Sequence, residues 1–193
     1  MKLSKKGEYA LRALIDLGIA AEAGRTLLQV GEIASKERLP MKFLEQVMQS
    51  LKEGGFVESQ RGKFGGYRLA RPASRISMGE VIRLIDGPLA PIGCVSHSAY
   101  EPCSCPDEEH CGLRMLMLDV RHAIAGILDR YSLADVVEVT IRKLRRDEFP
   151  LPFSESSPAA NHGRPVHSHP HSSRARLQPV EGLIHNLIFD YTI

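Results

Sequence analysis

The order of apolar and polar residues in the first half of the chain predicts three helices followed by a β-hairpin. Residues 3–22 are helix formers with apolar side chains on more than one face, which predicts a widely buried helix. A short helical pattern follows at 28–36, and over 41–52 apolar and polar residues separate onto two faces. Strand patterns at 56–60 and 67–70 flank a glycine-rich tip. Three short helices and a hairpin are typical of a winged helix-turn-helix.

The second half predicts further helices, one of them long. Ser77 and Glu80 form a capping-box pattern that begins a helix ending near Asp86, and Ser132 can cap a last helix. Between them, apolar residues recur at alternating steps of four and three, the seam of a helix that pairs with another helix. These residues are Leu113, Met117, Val120, Ile124, Ile127 and Tyr131. At about 1.5 Å per residue this helix is roughly 30 Å long, enough to cross a partner subunit.

The predicted fold class is therefore mainly α with a small β-hairpin wing: a winged helix-turn-helix plus a long dimerisation helix. Residues 1–72 form the predicted DNA-binding domain, 73–111 a linking helix and cysteine-rich loop, and 112–149 the dimerisation helices. The remaining residues, 150–193, hold six of the twelve prolines and five of the eight histidines. That composition predicts a disordered Pro/His-rich tail.

Charge is distributed unevenly along the chain, although the net charge of the 193 residues is only +2. Residues 1–72 carry 13 Lys and Arg against 8 Asp and Glu, whereas 73–149 carry 9 against 12. The basic part is the predicted DNA-binding domain, which suits a nucleic-acid surface. No stretch approaches the ~18 consecutive apolar residues of a membrane span, and no signal-peptide pattern is present. We expect a cytoplasmic protein without a membrane partner.

Candidate DNA contacts lie on the polar face of the third helix and at the hairpin tip. Glutamine can read adenine through two hydrogen bonds, and glutamate can accept one from cytosine. Basic residues that flank a glycine at the tip suit phosphate or minor-groove contacts. The alternative is an ordinary solvated surface, with Phe64 and Tyr67 available to pack the wing. The candidate residues are Lys42, Glu45, Gln46 and Gln49 on the helix and Arg61 and Lys63 at the tip.

All four cysteines of the chain fall within 18 residues, at positions 94, 103, 105 and 111. In a reducing compartment such thiols are more often ligands or redox groups than structural disulfides. Soft thiolates in a loop rich in Gly, Ser and Pro are what iron–sulfur clusters or zinc require. Thiols that act as a redox switch without metal are the alternative.

Three segments of the sequence resemble one known family of bacterial regulators. They are "MKLSKKGEYALRAL", "FLEQVMQSLKEGGFVESQRGKFGGYRLARP" and "LDRYSLADV", with spaced cysteines between the last two. The chain is similar over about residues 1–147 to the Rrf-two family of winged-helix transcription regulators, of the IscR/NsrR-like kind. The resemblance implies a homodimer that binds an inverted-repeat operator in double-stranded DNA. For members with three cysteines it also implies a [2Fe-2S] or [4Fe-4S] iron–sulfur cluster whose state sets DNA affinity.

The resemblance assigns cluster-ligand roles to Cys94, Cys105 and Cys111, because the five-residue gap between the last two matches the family spacing. The gap before them is wider than usual. Cys103 is therefore an alternative ligand, either in place of Cys105 or as the fourth member of an all-cysteine site.

Relatives take their fourth ligand either from a histidine three residues after the last cysteine or from an acidic residue near the N-terminus of the partner subunit. The first position is Arg114 here, and a guanidinium is a poor ligand because it stays protonated. The second position is Glu8, which makes it the candidate from the partner, with a solvated carboxylate as the alternative reading. His97 and His110 are nearby alternatives.

The sequence therefore predicts a dimeric transcription regulator, a repressor, whose operator affinity is controlled by an iron–sulfur cluster that senses iron, redox state, nitric oxide or cluster supply. No Ser/His/Asp set or phosphate-binding glycine loop points to an enzyme. One alternative is a metal-free regulator with a cysteine thiol switch. Another is a metal-buffering or cluster-carrier protein, suggested by the cysteines and the histidine-rich tail, which would lack specific DNA affinity.

Overall fold

The structure, a computed structural model, describes residues 2–154. Its elements there are six α-helices, one two-stranded antiparallel hairpin and two short 3₁₀ turns. They are α1 (Lys5–Glu22), α2 (Val30–Glu37), α3 (Met41–Glu53), β1 (Val57–Gln60), β2 (Gly66–Leu69), α4 (Met78–Asp86), α5 (Gly112–Arg130) and α6 (Leu133–Arg146), with 3₁₀ turns at Ala73–Arg75 and Gly93–Val95. This order confirms the predicted fold class, with boundaries that shift by one or two residues.

The hairpin is a wing fixed to the helices by backbone hydrogen bonds. Its strands pair from Val57 opposite Leu69 to Gln60 opposite Gly66. Next to this ladder, Tyr67 and Leu28 exchange two backbone hydrogen bonds of 2.8 and 3.0 Å, which attach β2 to the segment before α2. A Cβ atom at Gly65 would lie 2.2 Å from the carbonyl oxygen of Gln60, so the tight turn at the tip admits only glycine.

The hydrophobic core is built around α1, which the sequence predicted to be widely buried. Nine of its eighteen residues are buried, and α3 adds an apolar face of fully buried residues. These α3 residues are Leu44, Val47, Met48 and Leu51. Leu133, Val137 and Ile141 of α6 join the same core. The hydrophobic core of the winged helix-turn-helix is therefore not formed by residues 1–72 alone. It is completed by α6, which follows α5 in the chain.

Capping boxes and a short β-bridge set where α4 and α6 begin. The Ser77 hydroxyl accepts from the backbone N–H of Glu80, as the sequence predicts, and Ser132 caps α6 in the same way. An isolated bridge then joins Ser77 to Ser132. The starts of α4 and α6 therefore lie side by side, so the chain between them, which includes the cysteine loop and α5, begins and ends at one place.

Residues 150–154 differ from the prediction of a disordered tail. Leu151 and Phe153 pack against the core, and the Phe153 ring lies 5.7 Å from the Lys36 ammonium. Two apolar side chains in a segment of polar and proline residues are enough to hold it there. The rest of the predicted tail, residues 155–193, lies outside the described residues. Within residues 2–154 no helix has the length and apolar character needed to cross a bilayer.

A buried carboxyl group lies in the core between α1 and α2. Asp16 is 1% exposed, and its Oδ1 accepts a short hydrogen bond from the Lys36 ammonium of α2. Its Oδ2 has no hydrogen-bond partner among the described residues. Burial raises the pKa of Asp16 to about 7, although Lys36 acts in the opposite direction. The carboxyl group of Glu37, next to Lys36, adds to the increase.

The raised pKa of Asp16 predicts that stability falls as pH rises from about 5 to about 7. In this range the folded chain holds a proton that the unfolded chain, with an ordinary aspartate pKa near 3.8, has released. The free energy of unfolding should decrease by about 2 kcal/mol across that range. Urea unfolding at fixed protein concentration measures it, with Asp16→Asn as the control that lacks the titrating group. The same pH slope in both proteins would contradict the assignment.

Candidate functional site

The exposed face of α3 carries the four residues that the sequence singles out on this helix. Their side chains point away from the core, which α3 contacts through its opposite, fully buried face. Gln49 donates a hydrogen bond of 2.7 Å to Glu53 one turn further on. The solvent-facing set is Lys42, Glu45, Gln46 and Gln49. An apolar inner face and a polar outer face are what a recognition helix needs in order to read base edges.

The wing tip presents two basic side chains to solvent. Arg61 and Lys63 are exposed on either side of Gly62, whose φ of 115° suits a glycine. The Gln29 side chain donates to the carbonyl oxygen of Lys63 at 3.4 Å, which links the tip to the start of α2. Packing of the wing by Phe64 is not found, because this ring is 83% exposed. Tyr67 is half-buried against the core and does pack the wing.

The four cysteines are brought together at the N-terminal end of α5. All of them line one pocket of about 270 Å³, together with Glu101, Leu113 and Arg114 among others. The Cys105 and Cys111 sulfur atoms are 3.9 Å apart. The Cys103 thiol interacts with those of Cys94 and Cys105. Within residues 2–154 no three His, Cys, Asp or Glu side chains already converge as ligands of a single metal ion. The donor chemistry of the pocket, four thiols, fits an iron–sulfur cluster.

The pocket holds its thiols in different electrostatic environments. Burial raises the pKa of Cys94, and the neighbouring thiols of Cys103 and Cys111 raise the pKa of Cys105 to about 12. The pKa of Cys111 is lowered, chiefly because its sulfur accepts the backbone N–H of Arg114 at 3.5 Å as the N-cap of α5. The pKa of Cys111 is thus shifted towards the thiolate, unlike the pKa values of Cys94 and Cys105, and a thiolate is the form that binds metal.

Arg114 connects the two ends of the cysteine loop, a role that the sequence did not reveal. Its Nε donates to the Cys94 carbonyl oxygen at 3.3 Å and pairs with Glu108 at 3.3 Å. Glu108 in turn accepts the Tyr100 hydroxyl at 2.7 Å. A guanidinium that cannot ligate a metal instead anchors the loop on α5. Only the chain fold shows this, since Arg114 lies 20 residues from Cys94.

The remaining candidate ligands are not among the residues that line the cysteine pocket. Glu8 does not line the cysteine pocket. It pairs with Lys5 at 2.7 Å and with Arg12 at 3.3 Å, and the hydrogen bond from Lys5 lowers the pKa of Glu8. His110 pairs with Asp107 at 2.8 Å, and His97 lines a different pocket.

The long helix α5 has no fully buried residue along its 19 positions. Four of its large apolar side chains are about half exposed: Leu113, Met115, Leu116 and Ile127. Its main contacts among the described residues are with α4, where Arg83 pairs with Asp129, and with the 3₁₀ turn at Cys94. By helical periodicity Leu113, Leu116 and Ile127 share one face of α5. A long helix with such an exposed apolar stripe is typical of an interface between subunits.

The helical core, exposed α3 face and basic wing define a protein of the winged helix-turn-helix class. The chain matches the family model Rrf2, described as an iron-dependent transcriptional regulator, over residues 3–139. It belongs to this family of transcription regulators.

Relatives and solved structures agree with that assignment. The chain is 39% identical over 139 residues to the rrf2-like HTH-type transcriptional regulator of Rhodobacter capsulatus, covering 70% of this chain and 91% of that one. The structure of CymR, the global cysteine regulator of B. subtilis, matches with a TM-score of 0.60 and 31% identity, over 72% of this chain and 97% of that chain. The structure of IscR from T. potens matches with a TM-score of 0.56 and 28% identity, over 72% and 88%.

Proposed function

We propose that this regulator is a repressor whose operator affinity is controlled by an iron–sulfur cluster in the cysteine pocket. The observation that carries the proposal is the meeting of four thiols at the first turn of the helix that exposes its apolar face. One pocket thus combines the ligand chemistry of a cluster with the element expected to join two subunits. The signal is iron, redox state, nitric oxide or cluster supply.

Cys94, Cys105 and Cys111 hold the cluster in this proposal, with Cys103 as the alternative ligand and Glu8 of the second subunit as the possible fourth ligand. When bound, the cluster supplies a redox- and iron-sensitive link between these side chains. The protein supplies the orientation: Cys111 caps α5, Cys94 lies in the 3₁₀ turn, and Arg114 hydrogen-bonds both of these ends. These hydrogen bonds attach the loop to α5, so a movement of the loop also moves the start of α5.

The second subunit is a copy of the same chain that covers the apolar stripe of α5. Since Ser77 and Ser132 are joined at the base of α5, a movement of this helix reaches α4 and α6 directly. α6 contributes to the core that supports α3. Cluster state at one end of α5 thereby sets the spacing of two recognition helices on an inverted-repeat operator.

A metal-free thiol switch is the second candidate, favoured by the 3.9 Å separation of the Cys105 and Cys111 sulfur atoms. Two thiols at this short distance can form a disulfide when an oxidant such as a peroxide accepts their two electrons and two protons. This candidate keeps the same DNA-binding surface and requires neither iron nor sulfide. Metal analysis separates the two.

Arg61 gives a direct test of the wing. Replacing it with alanine removes a charged contact to DNA, and we expect operator affinity to fall about tenfold with the cluster unchanged. The operator is a duplex selected from a random library by binding to the wild-type protein, and affinity is measured over a salt titration. Arg130→Ala, which removes an exposed charge at the far end of α5, is the matched control. Unchanged affinity and salt dependence in Arg61→Ala would show that the wing does not bind DNA.

A further inference from the structure

A second pocket, which shares no residue with the cysteine pocket, lies between α4, residues 88–98 and α5. It has a volume of about 380 Å³. The polar residues that line it are Arg83, His97, Ser98, Arg121 and His122. The ionisable residues among them are two arginines and two histidines, and no carboxylate lines the pocket.

The positive charge of Arg83 is already compensated. Its guanidinium makes two hydrogen bonds to the Asp129 carboxylate, one of them 2.7 Å long. This pairing lowers the pKa of Asp129 and raises that of Arg83. Arg83 therefore helps to form the wall of the pocket and is not its free cation.

Among the residues that line this pocket, Arg121 has a hydrogen-bond donor without an acceptor. Its Nε is buried and has no hydrogen-bond partner among the described residues. Its Nη2 donates to Nε2 of His122, since a guanidinium has no acceptor atom. An imidazole is not a carboxylate, so this contact supplies no negative charge to the guanidinium, and a buried N–H of a charged group without a partner is costly. Such a cavity wall favours an anion.

We propose that this pocket binds a small anion that carries a phosphate or carboxylate group, with Arg121 as its principal contact. His97 and Ser98 supply further hydrogen-bond donors from the facing segment. The bound anion links α5 to the segment that carries Cys94, three residues before His97, and so holds that segment on the helix. The site needs no cluster, and its test is independent of the proposed sensor.

Isothermal titration of the full-length, metal-free chain with inorganic phosphate tests the site. Chloride replaces phosphate at constant ionic strength in the reference, and succinate forms a second arm that distinguishes a carboxylate from a phosphate ligand. Saturable binding of either anion is expected. Arg121→Gln should weaken it about tenfold or more, because it removes the charge from the hydrogen bond. Arg130→Gln, an exposed arginine on the same helix, should bind as the wild type does.

Circular dichroism establishes that the variants are folded. Should Arg121→Gln be unfolded, Arg121→Lys replaces it: lysine keeps the charge but lacks Nε, and affinity should fall several-fold relative to the wild type. The proposal is overturned if neither anion binds the wild type saturably, or if the folded Arg121 variant binds as tightly as the Arg130→Gln control.

Discussion

Replacing Ile127 with aspartate is expected to convert the proposed dimer into a monomer. Ile127 lies on the predicted seam of α5 and is 49% exposed in the single chain, and the second subunit of the proposed dimer covers it. Burying a carboxylate in an apolar interface without a partner costs several kcal/mol. This cost weakens the association of the two subunits. The molar mass in solution, from light scattering, should fall to that of one chain.

Loss of the dimer should also lower the affinity for the operator. One winged helix binds one half-site, and two linked winged helices bind the whole operator with about 100-fold or more higher affinity than one. The matched control is Gly126→Asp, one residue away on α5, where an added Cβ meets no atom within 4 Å. That variant should remain dimeric. A dimeric Ile127→Asp protein with unchanged operator affinity would remove α5 from the interface.

Replacing Cys111 with serine is expected to abolish the cluster while the fold is kept. Cys111 caps α5 through its sulfur, and serine is among the best residues at that position. The variant therefore removes the thiolate and preserves the cap, so the melting temperature of the metal-free protein should change little. Iron and acid-labile sulfide in protein purified without oxygen should fall to background.

The other three cysteines make the assignment specific. Cys94→Ser and Cys105→Ser should lose iron and sulfide in the same way, whereas Cys103→Ser should retain them. Loss in Cys103→Ser with retention in Cys105→Ser would exchange the roles of these two residues. Full iron and sulfide content in Cys111→Ser would contradict the proposed site.

The features that the sequence predicted well depend on short stretches of chain. The Ser77–Glu80 capping box closes within four residues, and the two faces of α3 follow from helical periodicity alone. The meeting of the cysteines was also predictable, because one loop of 18 residues carries all four. The helix α5 itself was predictable for the same reason, because helical spacing is a local pattern; its predicted pairing with a second subunit stays a prediction.

Other features depend on contacts between distant segments, for which the sequence gives no local signal. Asp16 lies among the buried, otherwise apolar positions of α1, and its partner Lys36 lies 20 residues away on α2. Leu151 and Phe153 pack against the core from a segment whose composition suggests disorder. Arg121 looks like an ordinary helix-surface arginine until α4 and residues 88–98 enclose it.

The proposed cluster controls binding to DNA. The most direct test of this control is the dissociation constant for the selected operator at fixed salt, measured on one preparation before and after cluster removal. We expect iron and sulfide in equal amounts in the starting protein and a change in affinity of about tenfold or more on removal. Equal affinity of the two forms, or a starting protein without sulfide, would contradict it.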